Sequence, residues 1–99
     1  MDEKTTLVVT AVPNSSEMAS VQEYLQGVMP LLVGAGGTVV KRLRTDKVIN
    51  GKPAGMTLVM DFDSADSVTE MFDSPEYAAL VPVRDKGFAE MNILLTRTM

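Results

Sequence analysis

The chain has no cysteine, so disulfide bonds and thiolate metal sites are excluded. It has no histidine either, which removes the commonest metal ligand and the commonest acid–base group near neutral pH. Positive charge is scarce. Nine Lys and Arg against thirteen Asp and Glu leave a net charge of −4, the wrong sign for a general nucleic-acid binder, because phosphate contacts need clustered cations. No apolar run is long enough to span a bilayer, so no membrane partner is expected. The start, Met1-Asp2-Glu3-Lys4, is polar and acidic and unlike a signal peptide, and a cytoplasmic location is the default expectation.

Ninety-nine residues favour a single domain over 1–99 with one modest core. Eight methionines make that core, or a pocket lining, soft and adaptable. The segment from Met56 to Arg84 reads as a buried strand, a capped helix and a second helix restarted at Ser74-Pro75-Glu76-Tyr77, with a serine cap followed by proline at the first helical position. The rest supplies surfaces for it to pack on.

In chain order, Thr5 to Val12 is rich in β-branched residues and predicts the first strand. Asn14 and Glu17 have capping-box spacing, and Met18, Val21, Leu25, Val28 and Leu32 form one face of a helix over about Ser15 to Val33. Pro30 predicts a kink or break near Met29. Gly34, Gly36 and Gly37 end the helix. Thr38 to Arg44 and Gly55 to Phe62 form a hairpin around the turn signal Asn50-Gly51. Asp63 or Ser64 caps the second helix, whose apolar face is Ala65, Val68, Met71 and Phe72. Val81 to Gly87 reads as irregular because of Pro82, and Glu90 to Arg97 is the last strand.

The order β-α-β-β-α-β predicts an α+β, ferredoxin-like split βαβ sandwich, with an antiparallel sheet of order 4-1-3-2 and both helices on one face. The other face is mixed. Thr57, Val59 and Asp61 share a row, with Asn92, Leu94 and Thr96, Thr6 and Thr10, and Thr38, Arg42 and Arg44 read alongside them. Such a face is too apolar for open water and too polar for a plain core. We expect two copies to pack sheet against sheet around a partly polar chamber.

From Gly36 onward the chain resembles a known pattern. Gly36-Gly37, Arg42, Asp61-Phe62-Asp63-Ser64, Ser74-Pro75-Glu76-Tyr77 and Arg84-Asp85 are similar to domain-of-unknown-function family thirteen-thirty, of the dimeric α+β barrel superfamily. The resemblance covers nearly the whole chain. It implies a ferredoxin-like protomer in a back-to-back homodimer, in a superfamily that includes cofactor-free monooxygenases, isomerases and cyclases. The chain departs from the pattern at Asn50, where an acidic residue is usual, and at Asp61, where glutamate is usual.

Arg42 and Asp61 are the sharpest candidate pair, read onto adjacent strands and one row. The guanidinium is a planar fork suited to a carboxylate, phenolate or enolate. A partly desolvated Asp61 would serve as a base. The competing reading is a structural ion pair at the dimer seam. Tyr77 would offer a hydroxyl to a ligand, or anchor the core. Arg84 would steer an anion to the chamber mouth, or pair with Asp85 or Glu76. Tyr24 reads as packing, and Met56, Met60 and Met91 as core. Gly34-Ala35-Gly36-Gly37 follows a helix and precedes a strand, the reverse of a phosphate loop. Neither a metal nor a cofactor is expected. The chain is thus expected to be a homodimer binding a small anionic or enolisable compound, such as a polycyclic phenol, between two sheets. The alternatives are a cofactor-independent monooxygenase or isomerase/cyclase, and a structural or interaction module without a ligand.

Overall fold

The computed structural model describes residues 4–99, so the acidic start read at residues 1–3 lies outside the described residues. Four strands and four α-helices follow, with a 3-10 turn at Ser15–Glu17 leading into the first, in the order β1 (Thr5–Pro13), α1 (Met18–Gly34), β2 (Thr38–Arg44), β3 (Met56–Phe62), α2 (Ala65–Phe72), α3 (Pro75–Ala78), α4 (Val81–Gly87) and β4 (Phe88–Arg97). The sheet is antiparallel throughout, in the order β2-β3-β1-β4, which is the expected order read from the other edge. The fold is therefore ferredoxin-like.

Pairing fixes the two faces, because directly opposed residues point the same way. Leu7 stands between Met60 and Leu95, Val9 between Leu58 and Ile93, and Ala11 between Met56 and Met91. This row carries the helices, and Leu7, Ala11, Met60 and Phe62 are buried in it with Val21, Val28 and Leu32 of α1. Thr6, Val8 and Thr10 belong to the opposite, helix-free face with Asp61, Val59 and Thr57.

Local chemistry explains the helix ends. Ser64 accepts from the Ser67 amide, and Ser74 accepts from the Tyr77 amide with Pro75 just inside the turn. At the end of α1, the Gly37 amide donates to Leu32 and the Gly36 amide to Val33, with Gly36 at φ 96°. That pair of bonds needs a left-handed residue between them, which glycine supplies.

Two expectations are corrected. The break near Met29 does not occur: α1 runs unbroken through Pro30. The carbonyl that proline leaves without a partner is that of Gln26, and both residues are exposed, so water can serve it. Val81 to Gly87 is helical rather than irregular, because Pro82 falls in the first turn, where no amide donor is needed. No helix among the described residues is long and apolar enough to cross a membrane.

The junction of α4 with β4 presses on α1. A Cβ added to Gly87 would stand 2.9 Å from the Val21 amide nitrogen and 3.1 Å from the Ser20 carbonyl carbon, while one added to Gly34 would meet nothing within 4 Å. Backbone atoms cannot step aside as a side chain can. We expect Gly87→Ala to lower unfolding stability by about 1–3 kcal/mol in urea titrations, and Gly34→Ala to leave it unchanged or raise it by up to about 1 kcal/mol. Equal stability of the two variants would contradict this packing.

Candidate functional site

The ladder between β2 and β3 slips by one residue. Thr38 opposes Asp61 and Val39 opposes Met60, but Lys41 then opposes Val59 and Arg42 opposes Leu58. Val40 is the extra residue of a β-bulge. Because side chains alternate with a period of two, that single insertion moves Arg42 and Arg44 to the helix face and Lys41 and Leu43 to the other. Arg42 and Asp61 therefore do not share a row, correcting the expected pair. The Asp61 carboxylate instead accepts from the Thr6 hydroxyl at 2.8 Å on the helix-free face.

Arg42 lines a cavity of about 160 Å³ between α1 and the sheet. Its walls are apolar: Val28 and Leu32 from α1, Val9 and Leu58 from the central strands, and Phe88 and Ile93 from β4. Arg42 is exposed as well as lining, so it marks the mouth at the β2 edge. Thr57 and Leu43 border the same space but belong to rows of the opposite face, so Tyr24 and Arg42 bring the side-chain polarity. The space found within the chain thus lies under the helices; the chamber expected between two sheets involves a second copy.

Tyr77 and Arg84 come together, but next door. Both line an open groove of about 400 Å³ with Leu7, Phe72 and Leu95. The Arg84 guanidinium donates to the Tyr77 hydroxyl at 3.0 Å and to Asp85 at 3.1 Å. The guanidinium carbon lies 5.9 Å from the centre of the Tyr77 ring. Tyr77 is only 4% exposed, which makes it a core anchor as well as a polar contact. Partial burial opposes the charge of Arg84, but its hydrogen bonds to Tyr77 and Asp85 outweigh that and hold its pKa above the usual value.

Tyr24 is the residue that sequence reasoning missed as a polar one. It is buried on α1, lines the cavity, and its hydroxyl lies 2.9 Å from that of Tyr77. Its ring meets Tyr77 and Phe88 edge-on, and Phe72 meets Tyr77 the same way, so these aromatic rings wall the cavity from the groove. The only available signal was a tyrosine placed inside an apolar stripe, which implies a buried partner for its hydroxyl. Among the described residues, no group of three or more acidic side chains converges as a metal site.

Burial, and then the hydrogen bond shared with Tyr77, push the Tyr24 pKa well above its ordinary value near 10. In the unfolded chain Tyr24 ionises near pH 10, while in the fold it stays neutral. The unfolded state then holds fewer protons, so stability is full below about pH 10 and falls above it by about 1.4 kcal/mol per pH unit. Tyr24→Phe should flatten that alkaline slope in denaturation series from pH 9 to 11.5. An unchanged slope would mean that another group controls it.

Residues 5–99 match the profile of a family described as "Domain of unknown function (DUF1330)". No functionally curated protein matches the sequence. Among solved structures, a protein of unknown function from Rhodopseudomonas palustris superposes with a TM-score of 0.83 at 13% identity, covering 100% of this chain and 85% of that one. A candidate antibiotic biosynthesis monooxygenase from Nitrosomonas europaea gives 0.66 at 11%, covering 100% and 93%. A dimeric protein of unknown function with a ferredoxin-like fold, from Bacteroides fragilis, gives 0.62 at 12%, covering 96% of each chain. At these identities the likeness is one of fold.

Proposed function

We propose a function on the premise that the chain belongs to the DUF1330 family of domains of unknown function: it binds a small anionic organic molecule in the cavity beneath α1, with Arg42 holding the anionic group at the mouth. The observation that carries this reading is an apolar space of about 160 Å³ with one guanidinium at its edge. A cavity of about 150 Å³ in an apolar core accepts benzene, so the occupant is a single ring and not the polycyclic compound considered from sequence. A sealed void of this size would cost about 4 kcal/mol at ~24 cal/mol per Å³, a large share of a small domain's stability. A ligand filling it offsets that cost.

Catalysis has less support than binding. No carboxylate lines the cavity, and Asp61, the expected base, is bonded to Thr6 on the other face. The fold shared with a candidate monooxygenase keeps cofactor-independent oxygenase or isomerase chemistry as the second reading, for a substrate that carries its own reactivity.

The helix-free face supports the homodimer. Val8, Val59 and Leu94 form an apolar band over β3, β1 and β4 that ends at Lys41 on β2, and Leu94 is half-exposed in the single chain. Thr and Asn flank the band. Asp61 belongs to this proposed interface, but without Arg42, so the ion pair of the competing reading does not form within the chain.

Benzoate is the simplest probe. It should raise the melting temperature of the wild type, and Arg42→Ala should weaken its binding about tenfold or more through loss of a charge-assisted hydrogen bond. No shift with benzoate or any other single-ring acid would count against the reading. Separately, Val8→Lys should raise the dimer dissociation constant roughly thirtyfold or more, as charge is forced into the centre of the interface. Light scattering that finds the wild type monomeric at micromolar concentration would contradict the dimer.

A further inference from the structure

Hydrogen-bond accounting at the aromatic wall leaves one proton over. Arg84 donates to the Tyr77 oxygen, and the two phenols share one bond of 2.9 Å in which either oxygen could be the donor. Two phenols bring two O–H protons, and one of these fills the shared bond. Neither hydroxyl makes another hydrogen bond among the described residues. Whichever way the shared bond runs, one O–H has no protein acceptor.

The cation decides which one. A guanidinium donating to the Tyr77 oxygen polarises that hydroxyl and makes it the better donor in a chain of hydrogen bonds. Tyr77 then donates to Tyr24, and the spare proton belongs to Tyr24, the member of the pair whose residue lines the cavity. The phenol of Tyr24 is held neutral by its burial, so it remains a donor at all ordinary pH.

Placement completes the inference. Arg42 stands on β2, one edge of the sheet, while Tyr24 packs on Phe88 at the start of β4, the other edge. One ligand group cannot serve both. We infer that the cavity recognises a ring polar at both ends, with a carboxylate on Arg42 and a hydrogen-bond-accepting oxygen para to it on the Tyr24 hydroxyl. Arg84 and Tyr77 act as positioning residues that set the direction of the Tyr24 proton. This inference rests on the proposed binding cavity and adds its second polar contact and the class of its ligand.

The test compares 4-formylbenzoate with 4-methylbenzoate, two rings of similar size of which only the first carries an acceptor para to its carboxylate. Calorimetry should find the formyl compound about tenfold tighter in the wild type. That preference should vanish in Tyr24→Phe, while Arg42→Ala should weaken both compounds and preserve their ratio. Should Tyr24→Phe fold poorly, the wild type labelled with carbon-13 at the tyrosine Cζ gives the same answer. The Tyr24 signal should move with the formyl compound and stay still with the methyl one. Equal affinities in the wild type, a preference that survives Tyr24→Phe, or a Tyr24 signal that ignores the formyl group would overturn the inference, yet leave the cavity reading standing if both rings bind and depend on Arg42. Failure of both rings to bind the wild type would remove the cavity reading and this inference with it.

Discussion

Between Val39 and Lys41, β2 carries one residue more than the stretch of β3 it pairs with, and the two-residue period of a strand turns that insertion into a change of side. Ahead of the bulge, Thr38 shares the helix-free face with Asp61. After it, Arg42 faces the helices with Leu58. Without the bulge, the guanidinium would lie on the helix-free face opposite Thr57, in the same row as the carboxylate. With it, the cation stands at the mouth of an apolar space and the carboxylate is left to Thr6. Whatever this protein binds, the division of charge between its faces is set there.

The cavity is bounded by well-packed side chains. At the β4 end, Tyr24, Tyr77, Phe72 and Phe88 form a wall of edge-on rings. Its polar atoms are tied together by Arg84 from the rim of the outer groove. Outside the lining, Gly37 lets Met60 and Phe62 pack close to the end of α1, since a Cβ there would stand 2.7 Å from both side chains. Away from the aromatic wall the lining is mostly Leu, Val, Ile and Met, with Met the adaptable member. Polar groups at a boundary and apolar groups in the middle are the general build of a small-molecule pocket.

Much of the fold was legible in the sequence. β-branched runs, a three-to-four-residue apolar period and the Ser74-Pro75 restart each report local energetics, which placed every strand, and the handedness of crossovers then gave the order of the sheet. Pro82 was misread, and the break at Pro30 did not occur, for one reason: proline's cost depends on whether the group it leaves without a partner faces water or the proline lies in a first turn, which is a matter of position rather than composition. The bulge was not legible. TVVKRLR alternates as well in one register as in the other, and the choice is made by the pairing with β3, far along the chain. The role of Tyr24 was hidden similarly, because its hydroxyl acquires meaning from Tyr77, 53 residues away. Arg42, Tyr77 and Arg84 could be picked out as unusual, but which of them share a space could not.

The most direct test of the account follows ligand-induced shifts of methyl groups by NMR as benzoate is added. The helix-side probes Met56, Leu58 and Ile93 should move in a saturable way, while Val8, Val59 and Leu94 on the opposite face of the same strands should stay in place. Saturable movement of Val8, Val59 and Leu94, with Met56 and Leu58 unchanged, would put the chamber between two sheets and contradict the account.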